Sequence, residues 1–311
     1  MQRIVVDWGT TNIRAHLIDD DGRALVSRSG ECGVQRCDGD YAAVLGEYCS
    51  DWQHRWPGIP TYLCGMIGSR TGWQETPYVP CPVEPPALAA GLKPLAGRDN
   101  IFFVPGVQCR TPAGTPDVMR GEECQVLGAL AISGLDDGVL ILPGTHSKWV
   151  RVRGGRIVDF ATFFTGELFA LLHRHSSIGS VLDAESMDAH SFDRGLAQSC
   201  GKGGLLHQVF SARSRSLCED TGDQSMSAYL SGILIGSEFA HALSLFPPAG
   251  KLLLVGDRKL GNSYRQAAQH FDLPLQPIDP ALAVVRGVKI ICDAAGDHSQ
   301  QKEAAGAESI S

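Results

Sequence analysis

Asp7-Trp8-Gly9-Thr10-Thr11-Asn12 links a strand read at 3–7 to a second read at 12–18, and its reading decides the fold. Apolar stretches on either side of a short Gly/Thr/Asn bend read as two strands of an antiparallel hairpin. The same bend has the make-up that a phosphate needs. Glycine lets the backbone come close, consecutive N–H groups form an anion-binding nest, and the hydroxyls of Thr10 and Thr11 add donors, with Asn12 closing the motif. Asp7, at the strand end, is placed to hold Mg²⁺ directly or through water, because that ion takes few carboxylates together with waters and phosphate oxygens. A plain hairpin with common turn residues would carry the same letters, so recurrence of the pattern decides between the two readings.

The pattern recurs. Pro143-Gly144-Thr145-His146-Ser147 follows an apolar run at 139–142 and precedes strands at 148–153 and 156–163 joined by Gly154-Gly155. In the first occurrence the matching tight turn is Asp19-Asp20-Asp21-Gly22, followed by a strand at 24–29. Strand, Gly-Thr turn, strand, tight turn, strand thus occurs twice, which predicts two lobes of related architecture. Gly144, Thr145 and His146 are expected to grip, from the second lobe, the polyphosphate held by the first.

Composition narrows the class. The chain has 311 residues, 43% of them hydrophobic and 20% charged, enough for one large core or two moderate ones. No apolar run is long enough to span a bilayer, and Met1-Gln2-Arg3 leads straight into a strand rather than a secretory signal, so a cytoplasmic protein without a membrane partner is expected. The net charge of −7 disfavours a nucleic-acid surface while leaving room for a locally basic site for a small anion. Ten cysteines are scattered with no Cys-x-x-Cys pair, which reads as buried reduced thiols, and His173-Arg174-His175 lacks partners at zinc-ligand spacing.

Further elements follow from periodicity and punctuation. Helices are expected at 41–56, 122–132, 224–245, 259–270 and 281–295, and strands at 61–64, 101–104 and 251–255. The Gly- and Pro-rich stretch 65–86 reads as a long functional loop. Residues 1–116 form the expected first lobe with the helix 281–295 packed back on it, 117–280 the second, and 296–311 a disordered tail.

Arg120-Gly121-Glu122-Glu123 offers two carboxylates at a helix start, where the macrodipole favours the ionised form. A hydroxyl attacking a γ-phosphoryl group needs such a carboxylate to orient it and take its proton. Val255-Gly256-Asp257 closes a strand before a helix, where a nucleotide's base and ribose can pack on exposed backbone. His146 has no Gly-x-Ser-x-Gly elbow to make it part of a hydrolase triad. Gly201-Lys202-Gly203 lacks the upstream glycine and following Ser/Thr of a P-loop, and no Gly-x-Gly-x-x-Gly occurs.

These motifs in this order resemble the acetate and sugar kinase, Hsp70 and actin superfamily. Asp7 to Ala15, Gly65-Met66-Ile67-Gly68-Ser69 with Gly72-Trp73, Met119 to Glu123, Pro143 to Trp149 and Thr165-Gly166-Glu167-Leu168 are, more narrowly, similar to the 2-dehydro-3-deoxygalactonokinases. The resemblance implies an α/β, two-lobed actin-like ATPase (ribonuclease H-like) fold, each lobe a mixed sheet with flanking helices. It also implies transfer of the ATP γ-phosphate, with Mg²⁺, to the 6-hydroxyl of 2-dehydro-3-deoxy-D-galactonate in galactonate breakdown.

In related sugar kinases a Gly-Asp-Gln segment carries the base, which the resemblance carries onto Glu122, with Glu123 kept as the second choice because Glu replaces Asp. Asp257 stands where many relatives have glycine. The substrate carboxylate needs fixed donors, for which Ser69, Arg70, Arg120, Lys148 and Thr165 are the candidates. Two rivals stay open: a kinase of the same fold with another small substrate, and a non-catalytic sugar-acid or nucleotide sensor. Neither the galacto/gluco epimer nor the association of copies is fixed by these residues.

Overall fold

A computed structural model of the chain describes residues 2–182, 188–219, 225–247 and 250–308, with side chains as far as residue 296. Contacts divide it into two compact units: Met1–Asp137 with Val152–Asp159 and Asp279–Ser311, and Gly138–Arg151 with Phe160–Ile278.

The first unit runs through β1 (Arg3–Trp8), β2 (Ile13–Ile18), β3 (Ala24–Gly30), α1 (Tyr41–Arg55), β4 (Thr61–Cys64), β5 (Tyr78–Pro80), α2 (Pro85–Ala90), β6 (Lys93–Leu95), β7 (Arg98–Phe103), β8 (Gly106–Arg110), β9 (Pro116–Met119) and α3 (Glu122–Ser133). Its main sheet has the order β3-β2-β1-β4-β7-β6, and β5-β8-β9 form a second, small sheet. β1 pairs antiparallel with β2 and parallel with β4, and β4 pairs parallel with β7. A strand buried on both faces reads as a continuous apolar run, and Ile4, Val5 and Val6 are wholly out of solvent. α1 begins where the Asp40 carboxylate accepts from the Ala43 N–H at 3.1 Å, and it ends before Pro57-Gly58. Leu45, Cys49 and Trp52, one face of α1, are buried with Trp8, Ile13 and Leu63 in the first core.

The second unit contains β10 (Gly138–Leu142), β11 (Ser147–Arg153), β12 (Arg156–Phe163), α4 (Thr165–His175), α5 (Ala189–Ser199), α6 (Gly204–Cys218), α7 (Met226–Leu245), β13 (Leu252–Val255), α8 (Arg258–His270) and β14 (Leu275–Ile278), the tip of the β11–β12 hairpin belonging to the first unit. The strand order is β12-β11-β10-β13-β14, with β10, β13 and β14 mutually parallel in that order. Each main sheet thus sets three consecutive strands beside two parallel ones, the repeat anticipated from the two Gly-Thr turns, and the first sheet ends in β6, antiparallel to β7. α9 (Pro280–Glu308) completes the first unit.

Several expectations are corrected. The division falls after Asp137 rather than near residue 116, because α3 packs on α9. Glycines make that packing close: a Cβ at Gly128 would lie 1.8 Å from the Ala283 carbonyl oxygen, and one at Gly287 would lie 1.8 Å from that of Cys124. The last helix continues to Glu308 instead of stopping at 295, since the Gln-, Lys-, Glu- and Ala-rich stretch holds good helix formers and no proline. Residues 309–311 of the expected tail and Gln224, where the long helix was expected to begin, lie outside the described residues. Cys200 and Cys218 are exposed, each at the C-terminal end of a helix, against the expectation of buried thiols. Gly287→Val is expected to force α3 and α9 apart and cost about 3 kcal/mol, measured as a lower urea midpoint; an unchanged midpoint would show that this crossing does not hold the unit.

Candidate active site

In the first unit the hairpin bend is held from behind. The carbonyls of Gly9, Thr10 and Thr11 accept from the N–H groups of Val34, Gln35 and Gly33 at 3.0, 3.2 and 3.0 Å. Gly9 N–H donates to the Asn12 carbonyl at 2.9 Å, and the Asn12 amide donates to the Thr11 hydroxyl at 3.2 Å. With their carbonyls tied to the 33–35 segment, Thr10 and Thr11 keep their amides for another partner, and Thr11 and Asn12 are exposed.

Asp7 sits at the base of this bend. Its side chain is 16% exposed and meets Arg14 at 3.3 Å. Burial raises its carboxyl above the usual range, Arg14 draws it back, and the negative charge of Glu122 raises it further. Asp7 and Glu122 are therefore electrostatic neighbours, which the sequence spacing could not show. Two glycines bring them together. Gly65 has φ 91° and Gly121 φ 105°, both in the left-handed region, and a Cβ at Gly121 would come within 3.0 Å of the Gly65 Cα. The end of β4, next to β1, and the start of α3 thus touch backbone to backbone.

The two carboxylates of α3 part company here. Glu122 is half-buried, and one of its oxygens accepts from the Arg120 N–H at 3.0 Å. Glu123 is 0% exposed, and both its oxygens accept from the Gly121 N–H, at 2.9 and 2.7 Å. Burial, followed by repulsion from Glu122, pushes its carboxyl up to about 8. A group sealed in this way orients the helix start but has no path to a bound molecule, which leaves Glu122 as the accessible carboxylate.

The carboxylate-binding candidates separate as well. Arg70 is 88% exposed and lies 3.6 Å from Glu75. Arg120 is buried; its guanidinium donates to the Thr76 hydroxyl and, at 2.8 Å, to the Thr76 carbonyl, and lies over the Tyr78 ring at 4.3 Å. Those contacts tie the loop after β4 to the turn before α3, while the Arg120 Nε is buried without a partner. Ser69 is buried beside it in the chain's 65–76 loop, its hydroxyl 3.2 Å from that of Thr71.

In the second unit, Gly144 to Ser147 forms the turn from β10 to β11. Glu167 N–H donates to the Thr145 carbonyl at 2.9 Å, and a Cβ at Gly166 would stand 2.4 Å from the Gly144 carbonyl oxygen, so the start of α4 lies directly against the turn. His146 Nε2 is 2.5 Å from the Glu167 carboxylate, with its ring stacked on Phe164. Lys148 is buried rather than reaching out, and its ammonium donates to the His146 carbonyl at 2.9 Å. Gly144, Thr165, Gly166, Asp257 and Tyr264 line a cavity of about 320 Å³ in this unit. That volume suits a small ligand. Asp257 also caps α8, accepting from the Leu260 N–H at 2.9 Å, and Gly256 lies against Pro143.

Sequence reasoning missed Glu238. It is 3% exposed inside α7 and accepts from Trp149 Nε1 at 2.9 Å, from the Tyr264 hydroxyl at 2.7 Å and from the Thr165 hydroxyl. Its signal was a lone acidic residue in an otherwise apolar helix, Ile233 to Phe239, a position that demands buried partners.

The geometry can be set beside known proteins. The family model described as 2-keto-3-deoxy-galactonokinase matches residues 7–291. The 2-dehydro-3-deoxygalactonokinase of Escherichia coli (strain K12) is 35% identical over 292 residues, covering 94% of this chain and 97% of its own. A solved structure from Sinorhizobium meliloti, named for the same kinase, superposes with a TM-score of 0.84 at 33% identity, over 94% of this chain and 98% of that one. At 12% identity and a TM-score of 0.55, the activator of 2-hydroxyisocaproyl-CoA dehydratase from Clostridium difficile, solved with ADPNP, shares the fold, over 97% of this chain and 98% of its own. No helix among the described residues is long and apolar enough to cross a membrane. The match takes in both Gly-Thr turns, the Gly65 and Gly121 contact and the cavity beside α4, and on that extent the chain belongs to the 2-keto-3-deoxy-galactonokinase family.

Proposed function

We propose that this chain transfers the γ-phosphoryl group of ATP to the 6-hydroxyl of 2-dehydro-3-deoxy-D-galactonate, in the cytoplasm, in galactonate breakdown. Family membership across nearly the whole chain supports the reaction class. The observation that carries the mechanism is the pairing of Asp7 with Glu122 in one unit, an accessible carboxylate beside a buried one.

In this reading Glu122 accepts the proton of the substrate hydroxyl as its oxygen forms a bond to the γ-phosphorus. The bond from that phosphorus to the bridging oxygen breaks, and ADP leaves with the electron pair. The Arg120 N–H, bonded to one Glu122 oxygen, fixes the other toward the hydroxyl. In the first unit the amides and hydroxyls of Thr10 and Thr11 serve phosphate oxygens; in the second the Gly144-Thr145 turn does so, and the cavity beside Gly144 takes a nucleoside.

Mg²⁺ fits the donor set: Asp7 is a carboxylate raised by burial and by a second negative charge, with a single arginine partner, and a cation relieves both. Asp7 would hold the ion, which would supply charge neutralisation to the phosphates. For the substrate carboxylate, Ser69 and the unpartnered Nε of Arg120 are the donors on the same loop system; Arg70 is left to solvent, and Lys148 and Thr165 belong to the second unit.

The test is ADP release by purified protein with ATP, Mg²⁺ and a panel of sugar acids that includes the galacto and gluco epimers of the 2-keto-3-deoxy acid. The galacto acid is expected to give the highest kcat/KM. If no acid is phosphorylated above background, the reading fails.

A further inference from the structure

Three donors from three different elements converge on the buried carboxylate of Glu238, and phosphoryl transfer at Glu122 has no use for it. Its geometry sets the direction of every hydrogen in the cluster. The indole of Trp149 can only donate, so one Glu238 oxygen is an acceptor at 2.9 Å. The hydroxyls of Tyr264, at 2.7 Å, and Thr165 both point at the other oxygen, an arrangement that an ionised carboxylate satisfies completely. Ser147, 2.6 Å from the Tyr264 oxygen, then supplies its own proton to Tyr264. The Thr165 hydrogen is spent on Glu238 in the same way.

Thr165 lines the cavity, where a threonine hydroxyl ordinarily offers both a donor and an acceptor. With its proton held from behind, it offers the cavity lone pairs alone. A ligand group seated against it must therefore be a donor. Thr165 opens α4, whose next residue lies against the Gly144 carbonyl of the turn assigned to phosphate. The part of a nucleotide joined directly to its phosphates is the ribose, and its hydroxyls are donors.

On the reading that this cavity takes the nucleoside, we infer that Glu238 is a positioning residue which fixes Thr165 as a pure acceptor and so makes the second unit select a nucleotide with an intact ribose hydroxyl. A merely structural role for Glu238 predicts equal losses for all nucleotides; the polarity role predicts a change in the ratio between them.

The experiment is calorimetric titration of the full-length protein with ADP, 2′-deoxy-ADP and 3′-deoxy-ADP. Wild-type protein is expected to bind ADP about tenfold more tightly than one of the two deoxy analogues, the loss of one hydrogen bond to a charge-backed acceptor. Glu238→Gln, whose amide can donate to Thr165 and release its hydrogen, leaves the ribose hydroxyl a neutral partner in place of a charge-backed acceptor and is expected to narrow that ratio about threefold; an unchanged ratio in this variant overturns the inference. Thr165→Val, which removes the hydroxyl, is expected to bring the ratio to within about twofold, and it serves if the Glu238 variant does not fold. Equal affinity of wild-type protein for all three nucleotides overturns the inference. A ratio unchanged in Thr165→Val does so too. Leu234→Trp, which fills the cavity, separates this failure from that of the underlying reading: if ADP binds it as tightly as wild type, the nucleoside does not enter the cavity at all.

Discussion

Glu122→Gln is expected to lower kcat by about 10²- to 10⁴-fold, the range for removing a general base, while leaving the dissociation constant for ADP within about twofold. The amide keeps the shape of the side chain and its oxygen can still accept from the Arg120 N–H, so the turn before α3 stays in place. What is lost is the capacity to take a proton. Steady-state turnover with the sugar acid, beside calorimetric binding of ADP, separates the two effects. A sensor of the same fold would show binding without turnover in wild-type protein and no change in the variant. Wild-type-like turnover in Glu122→Gln removes Glu122 from the role, and Glu123 cannot inherit it while it remains fully buried on the Gly121 N–H.

The choice between those two glutamates shows where sequence stops. Both stand at a helix start, and the macrodipole argument applies equally to each. Which one faces out depends on the backbone at Gly121, whose positive φ follows from contact with Gly65, 56 positions earlier in the chain. The hairpin around Asp7 needed no such information, because its strands are nearest neighbours and its turn residues declare themselves. The same contrast covers Arg120. Its charge suggested a substrate ligand, and which of its donors stays open, the Nε, is set by Thr76 and Tyr78, which lie on or beside the small β5-β8-β9 sheet that no period in the sequence announced. The boundary of the first unit moved for a comparable reason: Gly128 and Gly287 are uninformative singly and meet only when α3 crosses α9.

Glu123→Gln is expected to make the protein steadily more stable than wild type as pH rises from 5 to 8. The Glu123 carboxyl is pushed from an ordinary 4.5 to about 8, first by burial and then by the charge of Glu122. Between those values the unfolded chain has released the proton and the folded chain has kept it, so the stability that Glu123 contributes is fully present below pH 4.5 and is lost as pH climbs through about 8. One proton held differently between the two states changes stability by about 1.4 kcal/mol per pH unit, roughly 4 kcal/mol over this window. Glutamine imitates the protonated form at every pH, and its oxygen still accepts from Gly121, so the variant escapes the loss. Urea unfolding of both proteins at pH 5, 6, 7 and 8 should give curves that coincide at the acid end and diverge toward the alkaline end. Turnover at pH 6 should be near that of wild type, since Glu122 is untouched. The same pair of residues provides an internal check: removing the Glu122 charge lowers the Glu123 carboxyl, so Glu122→Gln should lose stability over a narrower pH range that ends further to the acid side. If wild type and Glu123→Gln keep a constant difference across the whole series, Glu123 is already ionised in the folded protein, and burial at the start of α3 does not hold its proton.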